Sequence, residues 1–157
     1  MKKSLRIGFN FGLTSGIITT LGLIVGLHAG THSTLVVIGG VLTIAIADSF
    51  SDALGIHVSQ ESENKDSKAV WEATITTFLT KLIFALTFLV PLLIFDIGMA
   101  IMMSVVWGLA LLTILSYYIA KKQKQPAWKV VLEHIIITLI VITITHYLGD
   151  WISIIFV

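Results

Sequence analysis

The stretch LVVIGGVLTIAIADSFSDALGIHV, Leu35 to Val58, is apolar for long enough to cross a bilayer, yet it carries Asp48 and Asp52. About 20 apolar residues in a helix span the hydrocarbon core. A carboxylate in that core costs several kcal/mol (about 2.5–3.5 on insertion scales) unless it faces protein or water, so intramembrane carboxylates mark sites. The spacing adds to this. Residues i and i+4 share a helix face, so both aspartates look into one space, where a proton, a lysine or a metal ion can join them.

The rest of the chain repeats the pattern. Apolar residues make up 56% of the 157 and charged residues 12%, with a mean hydropathy of +0.97. A soluble domain carries about a quarter charged residues. Four more apolar runs are long enough to cross: Ile7–Leu27, Val70–Phe95, Ile97–Ala120 and Val130–Val157. The expected fold is therefore all-α, a polytopic bundle of five transmembrane helices forming one domain over residues 1–157. Between the runs the largest hydrophilic segment is Ser59–Lys68, which leaves no room for a second domain.

Lys2, Lys3, Arg6, Lys65, Lys68, Lys121, Lys122, Lys124 and Lys129 all fall on alternate connections. The opposite set, HAGTHS after the first run, the turn at Asp96 and the tail, has no Lys or Arg. The positive-inside rule then puts the N-terminus in the cytoplasm and the C-terminus outside, in a multi-pass protein of the cell (inner) membrane. The first run is too long in its apolar part, and too rich in Gly and Thr, for a cleaved signal. With no cysteine, disulfides and thiolate metal sites are excluded. The net charge of +1 is accounted for by topology, and no basic face with interleaved aromatics suggests nucleic acid.

At 100° per residue, Gly8, Gly12, Ser15, Gly16, Thr19, Gly22, Gly26 and Gly30 form one small-residue stripe on the first helix. Such stripes let backbones approach in lipid, either to another span or to a second copy in a dimer. Ser15 and Thr19 either line a hydrophilic path or bond back to the preceding turn. Lys81 lies eleven residues in from Val70 and Asp48 ten in from Val58, both about 15 Å deep, so they are expected to be neighbours. That pair is either a static bridge or a lysine standing in for a transported cation. Asp52, one turn nearer the inside, is left without an evident lysine, which makes it the leading metal or proton ligand. Glu133 and His134 reach a similar depth, so with Asp52 and Ser15 they can form an inner cluster. Imidazole with carboxylates suits Fe²⁺, Mn²⁺ or Zn²⁺.

His57, Glu61, Glu63 and Glu72 read as a solvated rim, and His28, His32, Asp96, His146 and Asp150 as an outer vestibule open to cations. Met99, Met102 and Met103 read as lipid-facing, and Pro91 as a kink near a helix end. No enzyme is expected: there is no G-x-S-x-G, no H-E-x-x-H and no phosphate loop. An intramembrane aspartyl hydrolase needs its aspartates on two facing helices.

The segments SGIITTLGLIVGL (Ser15–Leu27), DALGIHVSQESE (Asp52–Glu63), VWEATITTFLTKL with LVPLL in the third run, and WKVVLEHIIITLIVITITHYLG (Trp128–Gly149) resemble the vacuolar iron transporter family, exporters of Fe²⁺ and Mn²⁺. The resemblance covers nearly the whole chain. It implies a homodimer with an ion path along the first two helices, exchanging divalent metal for protons, with the metal as substrate and no resident cofactor. The family's first-helix aspartate appears here as Ser15, and the methionine and glutamate ending its second helix appear as Asp52 and Ile56. The long acidic insert between spans two and three is absent.

The expected function is thus divalent cation/proton antiport out of the cytoplasm, with Asp48, Asp52, Lys81, Ser15 and Thr19 in coupling and Asp48, Asp52, Glu133 and His134 as metal ligands. The alternatives are a non-transporting structural membrane protein, or a carrier of another cation or small solute on the same fold.

Overall fold

In the computed structural model, which describes residues 2–63 and 66–156, all regular structure is helical. Lys65, counted above among the basic connections, and Val157, the end of the fifth expected span, lie outside the described residues. The elements are α1 (Lys3–Thr31), α2 (Thr34–Glu63), α3 (Ser67–Thr87), α4 (Leu89–Ile94), α5 (Ile97–Lys122) and α6 (Ala127–Phe156). With α3 and α4 taken together, five helices are long and apolar enough to cross a membrane.

The connections are short because their residues stop helices efficiently. His32 closes α1 in the left-handed region (φ 51°), its N–H donating to the His28 carbonyl at 2.8 Å. Asp66 starts α3 by accepting from the Lys68 N–H (3.1 Å), and Asp96 starts α5 by accepting from that of Met99 (3.3 Å). Both are N-caps of the ordinary kind, so Asp96 has a structural part of its own. The segment from Ser59 is also less of a loop than its polarity suggests. Residues 59–63 continue α2, since Gln and Glu are good helix formers and no Gly or Pro interrupts them.

The third run breaks at Phe88. Pro91 lacks an N–H and its ring crowds the carbonyl four residues back, that of Thr87. The chain yields there, the Phe88 N–H turning to the Ala85 carbonyl at 3.2 Å. Thr87 Oγ1 donates to the Phe84 carbonyl (2.6 Å) and accepts from Trp107 Nε1 of α5 (3.0 Å), which ties the break to its neighbour.

Helix α1 is central and packs against α2, α3, α5 and α6. Its Leu13, Ile17, Leu21 and Ile24 join Val37 and Val41 of α2, Phe88, Leu92 of α4 and Leu112 and Leu115 of α5 in the buried core. The glycine stripe is used twice. A Cβ on Gly12 would lie 2.6 Å from the Thr77 carbonyl oxygen of α3, whereas one on Gly26 would lie 3.3 Å from the Thr145 oxygen of α6. Of the two partners the stripe allowed, it takes another span, and in fact two of them. Helix α6 is the most peripheral, with only Thr138 and Gly149 buried.

The outer surface of the bundle is apolar. Leu35, Ile46, Phe50 and Leu54 of α2, Ile94 of α4 and Ile154 of α6 are all more than half exposed, as is Met102; Met99 and Met103 are about 40% exposed. Such a surface exceeds what a water-soluble monomer shows. Exposed Trp71, Tyr117, Tyr118 and Trp128 ring the end that carries the lysines, and Tyr147 and Trp151 the other, as the aromatic belts of a multi-pass membrane protein do.

Candidate functional site

Lys81 sits in the middle of the third span and is 1% exposed. It reaches this position because α1 is thin there: a Cβ on Gly16 would fall 3.3 Å from the Lys81 carbonyl oxygen, so α3 lies against the α1 backbone and its lysine is trapped between α1 and α2. Its ammonium contacts Asp48 Oδ2 and Asp52 Oδ2 together and donates to Ser15 Oγ at 2.9 Å. The contact to Asp52 has hydrogen-bond alignment; that to Asp48 is an ion contact without it. The neighbourhood of Lys81 and Asp48 expected from depth is present. Asp52, which the depth argument left without a lysine, shares the same ammonium. One helical turn separates the two carboxylates, and the four-carbon stem of lysine ends between them.

The charges do not cancel. Counted with all three groups ionised, two carboxylates and one ammonium leave one negative charge over, in a place where an uncompensated charge is costly. Asp48 keeps 27% of its side chain open and Asp52 19%. Asp48 opens into a groove on the flank of α1 and α2 whose walls include Leu23, Leu27, Gly40, Thr43, Ala47 and Ser51. The acidic pair is thus partly charge-compensated within the bundle and accessible from one side of it. Two buried hydroxyls, Thr20 on α1 and Ser49 on α2, have no hydrogen-bond partner among the described residues.

The other expected residues have separate positions. Thr19 takes the bland option: its hydroxyl donates to the Ser15 carbonyl one turn back (2.8 Å). His134 Nδ1 is 2.7 Å from Ser116 Oγ of α5, a hydroxyl that also lies 2.6 Å from the Leu112 carbonyl one turn back. That is a helix-to-helix tie. His134, Thr138 and Thr145 do share a face, turned to α5 and α1, but Glu133 is exposed. The inner cluster of Asp52, Ser15, Glu133 and His134 is not assembled. Among the described residues no group of three or more His, Asp or Glu side chains is placed to hold a metal.

At the rim, Glu72 accepts from Lys2 Nζ and Ser4 Oγ, both at 2.6 Å. His57 Nδ1 lies 3.0 Å from Thr74 Oγ1, and its ring stands edge-on to Trp71. At the opposite end the His28 and His32 rings are 5.3 Å apart, and His146 pairs with Asp150 at 3.4 Å.

The double pairing of Lys81 was legible only in part. The four-residue spacing of the aspartates was the available signal, but helix rotation decides whether one lysine can meet both. The partnership of His134 with Ser116 had no sequence signal, since serines in apolar spans most often bond to their own backbone.

No family model, no curated protein and no solved structure matches this chain.

Proposed function

We propose that this multi-pass protein is a cation transporter in which Asp48, Asp52 and Lys81 form the coupling site, most simply a divalent cation/proton antiporter of the cell membrane, with its lysine-rich end in the cytoplasm. The observation that carries the reading is the grouping of two carboxylates on the one buried Lys81 ammonium, beside an open groove. A site one charge short attracts either a proton or a cation. A divalent cation entering between the carboxylates takes the place of the Lys81 ammonium, which gives up one proton as the cation binds, and that proton supplies the exchange. Ser15 Oγ holds the ammonium between cycles. Carboxylate oxygens favour hard ions such as Mn²⁺, and the resemblance to the vacuolar iron transporters points to Fe²⁺ or Mn²⁺ as the substrate.

The reading includes a homodimer. A partly open aspartate on a lipid-facing flank is costly, and the exposed small residues Ala47 and Ser51 leave room for a second copy to cover it.

The test is proton movement in liposomes under an imposed Mn²⁺ gradient. The parent is expected to release protons as Mn²⁺ enters, and Asp52→Asn to slow this by at least about 10-fold, the equivalent of one lost charge-assisted contact. Equal rates would remove Asp52 from the mechanism. A parent inert toward Mn²⁺, Fe²⁺, Zn²⁺ and Na⁺ alike would favour the structural alternative, in which Lys81, saturated by its three partners, only holds α1, α2 and α3 together.

A further inference from the structure

A second polar cavity lies at the lysine-rich end of the bundle, between the start of α1 and the end of α5. Arg6, Asn10, Tyr118, Ile119, Lys122 and Gln123 line it, and its volume is about 310 Å³, within the range of small-ligand clefts. Its charge is one-sided. The neighbouring cavity at the same end also holds lysines, Lys2, Lys3 and Lys68, but includes Asp66 and Glu72, and Lys2 is spent on Glu72. The cavity with Arg6 contains no carboxylate, and among the described residues Arg6 and Lys122 form no ion pair. Lys122 Nζ instead rests over the Tyr118 ring, 5.8 Å from its centre. A half-buried guanidinium held beside a second cation is repelled unless an anion joins them.

The depth of the cavity identifies that anion. Arg6 is in the first turns of α1 and Lys122 is the last residue of α5, the level of the exposed ring of Tyr117, Tyr118 and Trp128, where headgroups lie. One to two turns deeper, Phe11 and Ile114 are exposed on the same two helices, as a surface for acyl chains. We infer that this cavity binds the phosphate of an anionic phospholipid, with Arg6 donating to two phosphate oxygens as a planar fork, Lys122 adding a point charge, and Asn10 and Gln123 donating their amides to the headgroup. Basic cavities between transmembrane helices at the positive end take anionic headgroups in general. The inference does not depend on transport.

The purified protein is titrated in mixed micelles with phosphatidylglycerol against phosphatidylcholine and followed by native mass spectrometry. Each cation near the headgroup adds a few-fold, so one phosphatidylglycerol per protomer is expected to be preferred by about 30-fold. Arg6→Gln/Lys122→Gln is expected to bring that preference close to one, and Lys122→Gln alone, at an exposed helix end that leaves folding intact, to reduce it about 5-fold. Arg6→Lys/Lys122→Arg keeps it. Lys3→Gln/Lys129→Gln removes the same charge from the same end and is expected to leave it unchanged. An equal loss in that control, no preference in the parent, or displacement of the lipid by an equal concentration of inorganic phosphate would each overturn the assignment.

Discussion

Lys81 shows how one side chain can tie three helices together. Buried among three partners, it holds two like charges together, so Lys81→Met leaves the aspartates facing each other without a cation. Breaking a buried pair from one side costs about 3–5 kcal/mol, and Lys81→Met is expected to lower thermal stability in detergent accordingly. Replacing the whole group, with Asp48→Asn/Asp52→Asn/Lys81→Met, removes the uncompensated charge and is expected to recover most of that loss while leaving Mn²⁺-driven proton movement abolished. A triple variant that remains as unstable as Lys81→Met would show that shape, rather than charge, is what the lysine provides. The sequence announced these three residues because ionisable groups in apolar runs are costly wherever they point. For Thr19 it offered a bond to its own helix as one of two options, and it did not announce that His134 is committed to Ser116, because a hydroxyl or imidazole in a helix has a local partner and a distant one at similar cost.

Among the helices, α1 decides the architecture. Its glycines serve α3 in the first half and α6 in the second, which a single stripe on a helical wheel cannot distinguish. The closest backbone approach is at Gly149 of α6, where a Cβ would lie 2.3 Å from the Gly26 carbonyl oxygen, whereas Gly39 of α2 has nothing within 4 Å. Gly149→Ala must therefore move one backbone off another, and is expected to destabilise by about 1–3 kcal/mol. Gly39→Ala, helical and unobstructed, should be neutral or stabilising by about 0.5–1 kcal/mol. Unfolding of the two variants in one detergent compares them directly, and equal midpoints would refute the packing. The break between α3 and α4 was foreseeable as a consequence of Pro91, though its position at Phe88 follows from the clash with the carbonyl four residues back.

The assembled bundle presents lipid with apolar side chains almost everywhere except the flank of α1 and α2, where Asp48 opens into its groove. If a second copy covers this flank, a cysteine in place of Ser51 meets its own counterpart. In a chain without native cysteine, Ser51→Cys is expected to give a covalent dimer in membranes with a short bismaleimide. Ile154→Cys, on the exposed side of α6, is expected to stay monomeric. The reverse pattern would place the partner on α6.

Five crossings, the basic end and the acidic pair were readable from the chain alone, because length of apolar run, the position of lysines and a carboxylate in hydrocarbon are properties of a segment and its solvent, independent of neighbours. Which helices touch, that Lys81 meets Asp52 as well as Asp48, and where Arg6 and Lys122 converge had to wait for the folded bundle. In lipid every face of an apolar helix is equally well solvated, so hydropathy says nothing about rotation. Close packing of small residues sets it instead, and that is a relation between two helices.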